Sequence, residues 1–295
     1  MPIKKSKLRW TFEVCNTVVL LLLVLCTLYP LIYVLFASVS ESDALTRHGG
    51  ALLFRPLGFT WDAYRAALRN PNIPSGYLNT LFVVVFGVAV SMVLTAIGAY
   101  FLSRKGPFWV RPVSLLILFT MWFSGGLIPF YLAVREIGLT GSLWSLILPT
   151  AINTYNMIIL RTAFASLPDS MEESARIDGA GHLTILWKII LPLSKATLAV
   201  IALYYGVSYW NGWFNASIFL MGESDKWPLQ LVLRQVLIVN DTSSMTQGMS
   251  LSDQGEVGES IKHAIIVIAT VPILCVYPFI QKYFVRGVMI GAVKG

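Results

Sequence analysis

Tyr204, Ser208, Asn211 and Asn215 recur at i, i+4, i+7 and i+11 within one apolar run, flanked by Trp210 and Trp213. On a continuous helix that spacing places all four on one face. A second run carries Asn153 and Asn156 on a shared face, with Tyr155 beside it. Amides both donate and accept hydrogen bonds, and aromatic rings cover the apolar faces of sugars. The set therefore suits a pathway for a neutral polyhydroxylated solute. The same side chains also serve as glue between membrane helices, where Asn and Ser bond across the interface. A tryptophan near a helix end is also an interfacial anchor. Both readings stay open on the sequence.

Other chemistry is conspicuous by its absence from the sequence. GxxxxGK[ST], HExxH and GxSxG do not occur, so the chain lacks a nucleotide cradle, a zincin helix and a hydrolase elbow. Cys15, Cys26 and Cys275 lie in or beside apolar runs, with no CxxC or Cys/His ligand spacing, and read as small hydrophobes. The apolar runs contain no Asp, Glu, Lys or Arg. A carrier coupled to its own proton keeps ionisable groups at membrane depth, so that reading is disfavoured. Sodium coupling through carbonyls and hydroxyls is harder to remove. If transport is powered, the motor lies on another chain.

The elements that must position these groups follow from composition. Of 295 residues, 56% are hydrophobic and 13% charged, and mean hydropathy is +0.70. Soluble domains average about 45–50% apolar and about 25% charged, so this is an integral membrane protein. Six apolar runs approach the ~20 residues that a bilayer-spanning helix needs: about 14–37, 78–102, 112–134, 143–160, 196–221 and 264–281. In lipid the backbone must satisfy itself, so these are expected to be helices and the fold all-α. The first run is longer than the apolar part of a signal peptide and is read as an uncleaved first helix.

Orientation follows from the basic residues. One side holds Lys4, Lys5, Lys7 and Arg9; Arg104, Lys105 and Arg111; Arg161, Arg176, Lys188 and Lys195; and Lys282, Arg286 and Lys294, most of the 22 Lys and Arg. The positive-inside rule then puts both termini in the cytoplasm. Two outer loops are long, about 38–77 and 222–263, and each has a helical stretch, at 59–68 and 229–239. These stretches either pack over the helix ends or form a docking surface for an extracellular partner. Gly87, Ser91 and Thr95, four residues apart, read as a close-packing stripe.

One cytoplasmic segment is charged and broken by glycine. Asp169 is expected as an N-cap with Glu172 three residues on, as in a capping box. Glu172 and Glu173 stand in the favourable first turn. Gly179 and Gly181 break the helix, and a second helical stretch over 183–190 ends near Pro192. The product is a rigid cytoplasmic knob or, more blandly, an amphipathic connector. In the first reading Ser174 and Ala175 allow close approach by a partner, and Glu173 offers it a carboxylate.

The spacing Glu173, Ser174, Ala175, Gly179, then nine residues to Ile189, Leu191 and Pro192 resembles the EAA motif of ABC importer permeases, with Ser174 at the middle alanine. AYFLSRKG (99–106), SGGLIPFYL (124–132), SYWNGWFNA (208–216) and QKYFVRGVMIGAVKG (281–295) are similar to carbohydrate permeases of the maltose type. They are MalG-like, closest to the LplC/YtcP-like branch of oligosaccharide uptake.

The resemblance implies a type I importer transmembrane domain: one permease domain over 1–295, with a core at about 78–283 and a cytoplasmic tail at about 284–295 reaching the ATPase. It implies a bacterial cytoplasmic membrane location and a second, different permease as partner. It also implies two ATPase subunits, which hold ATP and magnesium, and an extracellular solute-binding protein. No cofactor is expected on this chain, and no nucleic acid partner. The coupling residues implied are Glu172, Glu173, Ser174, Ala175, Asp178, Gly179, Ile189, Leu191 and Pro192, with Glu173 as the charge contact. Against this stand an ABC permease for a non-sugar solute, an ion-coupled carrier and, least supported, an intramembrane enzyme.

Overall fold

The computed structural model describes residues 7–104, 108–238, 259–276 and 278. Among these, contacts gather into two compact units. The first takes in residues up to 70 together with 235–271, and the second 71–234 with the residues beyond 271. The tail at 284–295 and the stretch 239–258 lie outside the described residues.

In the first unit, α1 (Lys7–Ser38) is a 32-residue helix, apolar on every side and with most side chains exposed. A helix apolar all round is stable only where its surroundings are apolar too. Its C-terminal end meets α2 (Ser42–His48) and the loop after it through buried Ala37, Leu45 and Leu53, and meets α3 (Asp62–Arg69) through Ser38 and Tyr64. The Leu53 N–H donates to Tyr29 Oη at 2.9 Å, and Ser38 Oγ lies 2.8 Å from Tyr64 Oη. The sequence expectation of a helix over 59–68 is met with a shift. The Asp62 N–H donates to Thr60 Oγ1, which donates to Asp62 Oδ2, and this turn delays the helix to Asp62. Ala63 and Ala67 face inward.

The second unit is built on α4 (Asn72–Ser103), whose 32 residues span about 48 Å, well beyond the ~30 Å hydrocarbon core. Three of the expected spans are not single helices. The third is α5 (Val110–Trp122) and α6 (Leu127–Glu136), bent by 118°. Gly126, at φ +89°, opens the gap in a conformation that side chains with a Cβ disfavour. The fourth is two short 3₁₀ turns, Leu143–Leu146 and Leu148–Thr150, and then α7 (Thr154–Ala165), bent by 49°. Asn153 caps α7, its Oδ1 accepting from the Asn156 N–H at 3.1 Å, so the amide that tempts one to extend the helix starts a new one.

The charged, glycine-broken segment comprises α8 (Asp169–Ile177), α9 (His182–Ile185), a π-helical stretch over Leu186–Ile190 and α10 (Leu191–Leu193). An 88° bend at Ser194 leads into α11 (Lys195–Trp210). The expected fifth span therefore stops at Trp210, and α12 (Phe214–Phe219) follows after Asn211-Gly212-Trp213. α13 (Leu229–Ile238) matches the predicted second outer helix. α14 (Glu259–Val276) is the last long apolar helix. By length and composition, α1, α4 and α14 can cross a membrane, giving six crossings if each bent pair is one span.

Among the described residues, two apolar cores hold the second unit. One collects Val83, Val134, Leu146, Ile201, Tyr205, Tyr209 and Phe219. The other collects Ala96, Ala99, Tyr100, Leu160, Phe164, Ala175, Ile185, Leu186 and Ile190.

Candidate functional site

A cavity of about 580 Å³ opens beside α4, α7 and α11, within the range of ligand sites. Its polar wall is Thr150, Asn153, Tyr155, Asn156, Tyr204, Tyr205, Ser208, Tyr209 and Asn215, with Val83, Leu146 and Gly212 completing it. None of these side chains is charged.

Five of the six residues singled out for a pathway meet here: Asn153, Asn156, Tyr204, Ser208 and Asn215. The expected reason was only partly right. α11 ends at Trp210, so Asn211 is its C-cap and Asn215 stands on α12. Asn215 reaches the cavity because the chain breaks, not because one helical face continues. Asn211 is not part of the lining, and its Nδ2 donates back to the Val207 carbonyl at 3.0 Å.

Tyr205 and Tyr209 were not singled out from the sequence, yet they fix the wall. Tyr205 Oη lies 2.7 Å from Thr95 Oγ1 and accepts the Asn153 N–H at 2.9 Å, tying α4, α11 and the start of α7 together. Tyr209 Oη lies 2.9 Å from Ser91 Oγ. A Cβ on Gly87 would fall 2.8 Å from Tyr209 Cε2, so only glycine admits the ring there. The stripe Gly87, Ser91 and Thr95 is a packing stripe as expected, and its partners are the two cavity tyrosines. Their i, i+4 spacing on α11 matches that stripe, which is the signal that could have found them.

The expected coupling residues separate into inward and outward groups. Glu172 is buried, its carboxylate ion-paired with Arg104 and, at 2.7 Å, with Arg176 Nη2. Ala175 is also buried, in the second core, and does not present itself to a partner as expected. Glu173 and Ser174 are exposed. Asp178 is the exposed C-cap of α8. Ile189 and Leu191 pack on the second core, and Pro192 is exposed.

The expected capping box does not form. Pro168 is the N-cap and Asp169 the first helical residue, while the Glu172 side chain turns to Arg104 instead of back to the cap. A bond to a charged guanidinium outweighs a bond to one backbone N–H. Gly179 ends α8 as expected, at φ +80°. Its N–H bonds to the Arg176 carbonyl at 3.0 Å and the Ala180 N–H to the Ala175 carbonyl at 2.9 Å, a Schellman closure.

Burial pulls the Arg104 guanidinium below its ordinary pKa, opposed by Tyr100 and Asp169. Arg104 Nη2 also donates to Ser103 Oγ and to the Phe164 carbonyl, and its Cζ sits 4.8 Å from the Tyr100 ring centre. Arg161 Nε donates to the Leu102 carbonyl at 2.9 Å, and Tyr100 Oη lies 3.1 Å from His182 Nδ1.

Residues 5–290 match the family of binding-protein-dependent transport system inner membrane components. Over 281 residues the chain is 44% identical to the polygalacturonan/rhamnogalacturonan transport system permease protein YtcP of Bacillus subtilis, covering 94% of this chain and 96% of that one. It is 41% identical over 284 residues to LplC of the same organism, covering 96% and 95%. A chain in the crystal structure of a bacterial ABC transporter that imports the acidic polysaccharide alginate superposes with a TM-score of 0.87. It shares 36% identity, and the match covers 96% of this chain and 100% of that one.

Proposed function

The chain belongs to the family of inner membrane components of binding-protein-dependent transport systems, and from that premise we propose that it forms half of the pathway of a sugar importer, taking up an oligosaccharide. The observation that supports a sugar is the cavity wall. Three amides, a serine, a threonine and four tyrosines offer hydroxyl-directed hydrogen bonds and ring faces and bring no charge. The cargoes named for the relatives, polygalacturonan, rhamnogalacturonan and alginate, are polysaccharides, and hydroxyls are what such chains share with every sugar.

A second, different permease chain supplies the other half of the pathway. Two ATPase subunits hold ATP and magnesium, and an extracellular binding protein delivers the sugar. Both termini face the cytoplasm. The α8 surface carrying Glu173 and Ser174 rests on an ATPase subunit. ATP closure of that pair moves the segment, and the bundle alternates between inward- and outward-facing states. The described half of this machine has a stiff lever for that purpose: α8 is capped by a Schellman turn and seated on a packed core.

The test is uptake by proteoliposomes holding the four-subunit membrane complex, with ATP enclosed and binding protein outside. Labelled oligosaccharide should accumulate only when both are present. Accumulation driven by a sodium or proton gradient without ATP would replace this reading with a secondary carrier.

A further inference from the structure

Neighbouring residues on a helix point about 100° apart, and here Glu172 is buried while Glu173 is exposed. Glu173 faces out, whereas Glu172, in the first turn of α8, faces the ends of two other helices. Those ends cap each other. Arg161 of α7 bonds the Leu102 carbonyl in the last turn of α4, and Arg104, just past α4, bonds the Phe164 carbonyl in the last turn of α7. Last-turn carbonyls lack the usual i+4 partner within their own helix; Arg161 bonds the Leu102 carbonyl, and Arg104 joins the Leu167 N–H on the Phe164 carbonyl. The charge signs also suit the helix dipoles: arginines at two C-terminal ends and a glutamate at an N-terminal end.

Arg104 is the shared member of this knot. It bonds the end of α7 and pairs with Glu172 of α8, and both side chains of the pair are nearly buried, at 14% and 11% exposure. Arg176, the other partner of Glu172, is half exposed. α4 and α7 in turn carry the cavity wall, through Val83, Asn153 and Asn156, and through Thr95 holding Tyr205.

We propose that Glu172 is a positioning residue acting inside the chain: through Arg104 it locks α8 to the ends of α4 and α7, so that a push on α8 reaches the cavity wall without slack. Docking then falls to the outward residues, Glu173 and Ser174. This rests on the reading above that α8 is driven by a separate ATPase.

The experiment uses the assembled transporter in proteoliposomes, with oligosaccharide uptake and ATP hydrolysis read on the same vesicles. Glu172→Gln keeps the shape and removes the charge. Its ATPase subunits should stay bound and hydrolysis stay within about twofold, while sugar moved per ATP falls about fivefold or more, the size of a lost coupling interaction. Arg176→Ala should leave that ratio near the wild-type value. An unchanged ratio in Glu172→Gln overturns the proposal. Loss of bound ATPase also overturns it, because Glu172 would then belong to the docking surface.

A second measurement stands apart from transport. Spin labels replace exposed Phe101 and Ile177 in a background with Cys15, Cys26 and Cys275 changed to Ser. The wild-type distance should be narrow with and without ATP. It should broaden in Arg104→Lys, which keeps a cation but loses the forked contact. Equal widths overturn the proposal. If the wild-type complex shows no ATP-driven uptake, the function assigned above fails, and these widths still decide whether Arg104 and Glu172 lock the helices.

Discussion

Tyr205 Oη lies 2.7 Å from Thr95 Oγ1, joining the C-terminal half of α4 to the C-terminal half of α11 beside the cavity. The same oxygen accepts the Asn153 N–H, so one hydroxyl ties α4 and the start of α7 to the cavity wall. Tyr205→Phe leaves the buried Thr95 hydroxyl and the more exposed Asn153 N–H short of a partner, a loss of about 1–3 kcal/mol. The thermal midpoint of the detergent-solubilised complex should fall, and uptake should fall with it. An unchanged midpoint would show that water replaces the hydroxyl at no cost.

Gly87 admits the Tyr209 ring where a Cβ would lie 2.8 Å from Cε2. Gly87→Ala therefore forces the ring or the helix to move, at about 1–3 kcal/mol, the cost of overpacking. The midpoint should drop, and Tyr209→Leu in the same chain should recover part of the loss because the ring that clashes is gone. No recovery would put the cause elsewhere on α4.

Asn215 lines the cavity and Asn211 does not. Asn215→Leu should raise the KM for uptake about tenfold, the worth of one or two lost hydrogen bonds, while Asn211→Leu should leave KM within about twofold. An equal rise in both would restore the single-face arrangement that the sequence suggests.

Gly179 closes α8 at φ +80°. Gly179→Ala should cost about 1–2 kcal/mol of local stability, the left-handed penalty, and Gly179→Asn less. Amide exchange over residues 169–180 should quicken in that order, Ala above Asn above wild type. Identical exchange in all three would mean that the turn is held by the flanking helices alone.

Glu173 is exposed on α8. Glu173→Lys should weaken co-purification of the ATPase subunits while leaving the amount of permease in the membrane unchanged. Full recovery of ATPase subunits on the purified permease would remove Glu173 from the docking surface.

Much of this was legible in the sequence because the signals are local. A run of apolar residues long enough to span lipid is helical whatever it packs against, since no other conformation satisfies its backbone there. The glycine that ends α8 was legible for the same reason: the left-handed turn is a property of Gly179 itself. The breaks inside three spans were harder to see. Asn153 and Asn211 fit a helical stripe by spacing, yet each sits at a helix boundary, where an amide competes for backbone bonds.

Composition and spacing by themselves determined that the chain is an all-helical membrane protein, that one charged segment is broken by glycine, and which polar residues stand within the apolar runs. Only the tertiary structure decided which carboxylate faces in. The motif spacing singles out Glu173 as the contact for a partner, but nothing local says that the adjacent Glu172 turns inward. Arg104 does, from 68 positions away, because the ends of α4 and α7 bring its guanidinium to the Glu172 face of α8 and leave Glu173 to water or to a partner.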